Sequence, residues 1–278
     1  MKKLLAVLMV LMMLVASAAV AEGIEGLEDG VLTVAMECTY APYNWTQTDD
    51  SNGAVPIKGS VFYANGYDVM TAKAICEANG WQLEIMQSEW ESLIPAVMAG
   101  TCDAVIAGQS MTAERMESVD FAGPYLYATI VCVCKKDSKF AEAKGISDLA
   151  GGTCTSQIGT IWYNTCLKQI PNANLLNPAE SAPAMLMALL GDAADFVCTD
   201  MPTAQAAVLA YPELTILDFA GSGDDFQVSD EEINIGISVK KGNTGLVDAI
   251  NAYLSDKTAD DFNALMEQAI AIQPLTED

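Results

Sequence analysis

Two side chains of opposite charge stand where a helix should begin. Arg115 is the third residue of a helix that Thr112 caps. The first turn of a helix presents free backbone N–H groups and a positive dipole end, so it favours an anion. A guanidinium fork adds two charge-assisted bonds to a carboxylate, about 1.5–3 kcal/mol each. Thr160 opens a second helix that could aim N–H groups at the same anion. Asp200 is an acceptor suited to an ammonium group. Tyr40, Tyr43 and Trp90 could wall a slot and stack on an apolar or cationic group. Together these are the parts that hold a small zwitterion by both ends.

Each residue also has a plainer reading. Arg115 alone is a surface helix residue, and Asp200 alone is a helix cap ahead of Pro202. Tyr40-Ala41-Pro42-Tyr43 could be core and turn. Glu37 is expected to be exposed unless the slot takes a cation. Periodicity by itself supports only an α/β binding domain of unspecified ligand.

One rule gathers these residues: in open α/β sheets, ligands bind beyond the carboxyl ends of strands. Short apolar runs alternate with amphipathic stretches along the chain, which reads as α/β. Glu37, Tyr40 and Tyr43 follow a strand at 31–36, and Trp90 follows one at 81–87. Gly108, Gln109, Ser110, Thr112 and Arg115 follow a short buried strand at 103–107. Gly159, Thr160 and Ile161 follow a strand at 153–156, and Asp200 follows one at 194–198. Helices are expected at 67–79, where Val69, Ala72, Ile75 and Cys76 share a face, and at 90–99, 160–169, 179–190, 202–210, 244–254 and 258–271. Residues 51–60 read as a polar loop.

Lys2 and Lys3, an apolar run at 4–15, and Ala19-Val20-Ala21 read as an export leader over 1–21, cut before Glu22. The run falls short of the ~20 residues of a membrane span. No cysteine near the cut offers a lipid anchor. The net charge of −24 at pH 7 argues against nucleic acid or an anionic membrane as partner. Eight cysteines with no histidine and no C-x-x-C argue against a metal site and for buried free thiols.

The chain resembles the extracytoplasmic solute-binding proteins of polar amino-acid ABC transporters, the bacterial solute-binding proteins of family 3. The resemblance rests on Tyr40-Ala-Pro-Tyr, Gly66-Tyr-Asp68, Trp90-Glu-Ser-Leu-Ile-Pro-Ala-Val, the run from Asp103 to Arg115, Val119-Asp-Phe-Ala-Gly-Pro-Tyr125, Gly159-Thr160 and Asp195…Thr199-Asp200, in that order over most of the chain. It implies a type II periplasmic-binding-protein fold: two α/β lobes joined by two hinge strands. Lobe 1 would hold 24–128 and 233–278, lobe 2 would hold 129–232, and the crossings would lie near 127–129 and 229–234. It implies that Arg115 clamps a ligand carboxylate with Ser110 or Thr112 and the Ile161 backbone. Asp200 and the Gly108 carbonyl would hold the ammonium; Gln109 is a candidate from its place after the same strand as Gly108. Tyr40 and Trp90 would sandwich the side chain, and Glu37 would meet a cationic end. Asp68, Asp103 and Asp120 match positions read as structural caps and turns.

Two positions depart from the family pattern. Ile161 replaces a threonine or glycine, so only its N–H can serve, and the loop over 46–65 is long. The implied function is periplasmic or extracellular capture of an L-amino acid, polar or cationic such as arginine, lysine, histidine or glutamine. The implied partner is an ABC transporter permease, with no cofactor, no metal and a monomeric, non-enzymatic protein. The alternatives are a cyclohexadienyl dehydratase-like enzyme using Glu37 as acid, and an amino-acid sensor without transport.

Overall fold

The central strand Val31–Met36 buries Leu32, Val34, Ala35 and Met36, the apolar run expected of a strand covered on both faces. It pairs in parallel with Gln82–Gln87 on one side and Ala104–Val105 on the other. Asn234–Lys240 and Val119–Tyr127 complete a five-stranded sheet in antiparallel register. A second five-stranded sheet runs in the order Asn174–Leu175, Thr153–Thr155, Phe196–Asp200, Ile130–Lys135, Leu214–Leu217. These sheets, with helices such as Tyr67–Asn79, Met201–Ala210 and Ala259–Ile272, make the expected α/β class. The description comes from a computed structural model and covers residues 23–274. The expected leader and its cut before Glu22 lie outside the described residues.

The chain leaves the first sheet at Tyr127, enters the second at Ile130, and returns through the short helix Asp230–Ile233 into Asn234–Lys240. The two passages lie side by side: Tyr127 pairs with Asn234, and the Ala128 N–H donates to the Ile233 carbonyl at 3.0 Å. A capping box between Ser229 and Glu232 starts the return helix.

Three segments differ from the sequence reading. Residues 119–127 form a nine-residue strand, Val119–Tyr127. Gly123-Pro124 and half-buried Asp120 break its alternation, and a register shift between Ile235 and Ile237 on the partner strand absorbs the irregularity. The long loop folds back with Thr39–Tyr40 into a small antiparallel sheet that also contains Asn44–Gln47, Tyr63–Asn65 and Val55–Pro56. The Gln47 amide ties its crossover down by donating to the Ser51 carbonyl at 3.0 Å. The helix expected at 160–169 is a π-turn, Trp162–Cys166, followed by a 3₁₀ turn, Leu167–Gln169.

All eight cysteines are free and buried, as expected. Among the described residues no helix is long and apolar enough to cross a membrane, and no group of cysteine and carboxylate side chains could hold a metal ion.

Candidate functional site

Tyr40 and Tyr43 stack on each other beyond the first strand, ring centroids 4.7 Å apart and 22° from parallel, and both are buried. Gly108 makes room for them. It sits at φ 63°, and a Cβ there would lie 2.9 Å from Tyr40 Cε1 and 3.1 Å from Tyr43 Cδ1. A buried network holds Gly108 in place. Its N–H donates to the Tyr125 hydroxyl at 3.0 Å, which donates to Asp68 Oδ1 at 2.6 Å, while Asn44 Nδ2 donates to Asp68 Oδ2 at 2.7 Å. Asp68 was expected to be structural, and burial pushes its carboxyl up to about 7. Asp103 and Asp120 likewise accept backbone N–H bonds, from Thr33 and Gly242.

Arg115 stands on the helix Ala113–Ser118, whose cap is the Thr112 hydroxyl accepting from the Arg115 N–H at 3.3 Å. Its guanidinium lies 5.3 Å from the centroid of the Trp90 ring, a cation–π arrangement. Nη1 donates to the Ser110 carbonyl at 2.8 Å and Nη2 to the Gly159 carbonyl at 3.0 Å. The second bond crosses to the other sheet's side of the molecule. Burial lowers its pKa to about 10, partly offset by Glu114, so the group stays charged at neutral pH. Gly159 has φ 67°, and a Cβ on it would meet Trp90 Nε1 at 3.3 Å.

Asp200 is the helix cap that its place ahead of Pro202 suggests. Oδ1 caps the helix Met201–Ala210 by accepting from the Thr203 N–H at 3.0 Å. Oδ2 accepts from the Tyr43 hydroxyl at 2.7 Å and the Tyr40 hydroxyl at 3.4 Å. The Thr203 hydroxyl donates to the Tyr40 oxygen at 3.2 Å. Burial raises the Asp200 pKa, and these donors pull it back. An incoming ammonium would therefore share Oδ2 with tyrosine hydroxyls that the sequence reading had assigned only to the walls.

Glu37, expected to be exposed unless the slot takes a cation, is 5% exposed. Its two carboxylate oxygens face Gln157 Nε2 at 3.2 and 3.4 Å. Burial pushes its carboxyl up to about 7, with the Gln157 bond opposing and the charges of Glu89 and Asp68 adding.

Other placements depart from the expected set. The Gln109 side chain accepts from the Ser238 hydroxyl at 3.4 Å inside the first sheet, and its carbonyl accepts from the Gly236 N–H, so it braces the return strand. Trp90 packs against Arg115 and Gly159, whereas Tyr40 stacks on Tyr43 and meets Trp162 edge-on at 6.4 Å. Thr160 accepts from the Tyr163 N–H and donates to the Gln157 carbonyl. A cavity of about 460 Å³ between the sheets is lined by Arg115, Thr112, Thr160 and Ile161, with Asn164 and Glu232 toward the return helix. Asp200 does not line it and is engaged through Tyr40 and Tyr43 instead.

Gln157, Trp162, Thr203 and Tyr125 were not foreseen. Gln157 lies just beyond Thr153–Thr155, where the strand-end rule could have found it. Thr203 is the third residue of the helix Asp200 caps, a position a capping argument reaches.

Known proteins are similar to this chain in sequence and fold. The chain is 30% identical over 183 residues to a probable histidine-binding protein of Campylobacter jejuni, 66% of this chain and 65% of that one. It is 31% identical over 163 residues to the arginine-binding extracellular protein ArtP of Bacillus subtilis, 58% of each. These matches thus span less than two thirds of either relative's length. The crystal structure of an ancestral amino acid-binding protein, a precursor of cyclohexadienyl dehydratase, superposes with a TM-score of 0.70 at 26% identity, covering 88% of this chain and 97% of that one. The family model of the bacterial extracellular solute-binding proteins, family 3, matches residues 32–270, and the chain belongs to that family.

Proposed function

We propose that this chain captures one amino acid between two lobes, each built on one five-stranded sheet, and presents it to the permease of an ABC importer outside the cytoplasm. The crossings at 127–129 and 229–234 serve as the hinge. One observation carries the reading: Arg115 bonds to Gly159, and Asp200 accepts from Tyr40 and Tyr43, so each links segments that follow strands of different five-stranded sheets. Groups suited to the two ends of a zwitterion thus stand where closure would desolvate them. The backbone carbonyls and tyrosine hydroxyls that satisfy them are neutral, so a ligand's charged ends can compete for the same partners.

The ligand class follows from the buried charge. Glu37, Asp68 and Asp200 are buried carboxylates, and the cation Arg115 is half-buried. An acidic side chain would add a further buried negative charge. The proposal therefore favours arginine, lysine, histidine or glutamine and disfavours glutamate and aspartate. The relatives named for histidine and arginine support it. The protein acts as a monomer. A thermal-shift panel of the common L-amino acids tests the reading, because a ligand that binds only the folded state raises its melting temperature. A panel with no stabilising amino acid refutes it.

Glu37 also favours a second reading. A buried carboxyl near 7 suits a general acid, as a dehydratase needs. Incubation with prephenate or arogenate separates the two: binding without any product leaves transport capture, and product formation replaces it.

A further inference from the structure

Beyond the two crossings, the last described helix ties the sheets together at another point. Ala259–Ile272 packs against Tyr67–Asn79 and Val119–Tyr127, so it belongs with the first sheet. It also meets Met201–Ala210, which follows directly on Phe196–Asp200 of the second sheet. Just past Ile272, Gln273 turns extended, at φ −63° and ψ 149°, because the following Pro274 disfavours another helical residue there. Its side chain lies against the other lobe. Nε2 donates to the Ala206 carbonyl at 3.4 Å, and the residue is 6% exposed.

This flank of the junction is not close-packed. A cavity of about 550 Å³ stands beside the bond, walled by Trp45 and Thr46 from the small sheet, by Leu186 and Ala210 from the second lobe, and by Gln273 and Pro274 themselves. The amide bond is therefore a discrete tie rather than one contact within a packed wall. When the lobes part, water in the widened cavity can serve both the amide and the carbonyl, so neither is left buried and unpaired.

The tie falls on the helix that carries the site. Asp200 caps Met201–Ala210, and Ala206 lies six residues further on, about 9 Å along the axis. The ten-residue helix moves as a rod, so a ligand held at Asp200 and an amide held at Ala206 resist the same displacement.

We propose that Gln273 is a closure latch, which holds Met201–Ala210 against the first lobe in the closed form and so sets how long a captured amino acid stays, without touching it. The inference rests on the two-lobed capture reading above and adds a residue that governs release.

Stopped-flow kinetics on the mature protein test this, with L-arginine, L-lysine, L-histidine and L-glutamine as probes. Gln273→Met keeps the length of the side chain and removes the donor. Gln273→Glu sets an acceptor against the Ala206 carbonyl. The latch requires Gln273→Met to speed dissociation roughly three- to tenfold, the effect of one lost neutral hydrogen bond, and Gln273→Glu to speed it more. The factor should be the same for every probe that binds, with association changed less than twofold. The melting temperature of ligand-free Gln273→Met should match the parent's, because a contact of the closed form adds nothing to the open one. Unchanged dissociation in both variants, a factor that differs between probes, or an equal drop in melting temperature with and without ligand overturns the latch while leaving capture intact. A parent protein that binds none of the four probes overturns the capture reading and the latch with it.

Discussion

At the residue scale, Arg115 and Asp200 have separable tasks. Arg115→Ala removes a charged fork from a half-buried position. Two charge-assisted bonds at about 1.5–3 kcal/mol each make the expected loss at least a hundredfold for every amino acid. Near-native affinity in calorimetry would refute the clamp. Asp200→Asn keeps an oxygen that can cap Thr203, and asparagine caps about as well as aspartate. Its melting temperature should therefore stay close to the parent's while α-amino ligands weaken roughly tenfold or more. Deaminated analogues should be unaffected, and an equal loss for them would remove the ammonium assignment. The types of these two residues were legible in the sequence. Their partners were not: Tyr40 and Tyr43 reach Asp200 from about 160 residues away, and a hydroxyl's aim is not encoded in its neighbours.

At the element scale, strand ends and helix starts place the site, and both follow from local rules. Thr112 caps, Asp200 caps, and Gly108 turns, as their types suggest. Gly108 carries the sharpest expectation. Gly108→Ala strains a left-handed backbone by about 1–2 kcal/mol and drives a methyl against the Tyr40 ring. The melting temperature should fall and amino-acid binding should weaken together, read by calorimetry on one sample; unchanged binding would show that the tyrosine pair does not form a wall of the site. Elements that depend on distant partners escaped the sequence. Val119–Tyr127 alternates poorly because it pairs with a bulged return strand. The small sheet over 39–65 consists of two- to four-residue strands, too short for a periodic signal.

At the scale of the whole molecule, closure concentrates negative charge. Asp68 and Glu37 are pushed up to about 7, and Asp200 is raised. The native state holds these protons more tightly than the unfolded chain, whose carboxyls titrate near 4. Their contribution to stability is thus full below about pH 4 and is lost as pH rises through 7. The ligand-free protein should melt at a higher temperature at pH 5.5 than at pH 8, followed by circular dichroism. Asp68→Asn combined with Glu37→Gln should reduce that slope, and a slope unchanged in the double variant would assign it to the general repulsion of a chain with net charge −24.

The sequence by itself determined the α/β class, the helix caps and the types of residue at strand ends, because each depends on spacing within a few residues or on composition. Only the tertiary structure decided that Glu37 is buried, that Gln157 faces it, that Gln109 turns inward and that Asp200 shares its oxygen with two tyrosines. Those outcomes depend on which strand ends meet when two sheets come together, and burial and electrostatic neighbours are set by that meeting rather than by any stretch of chain.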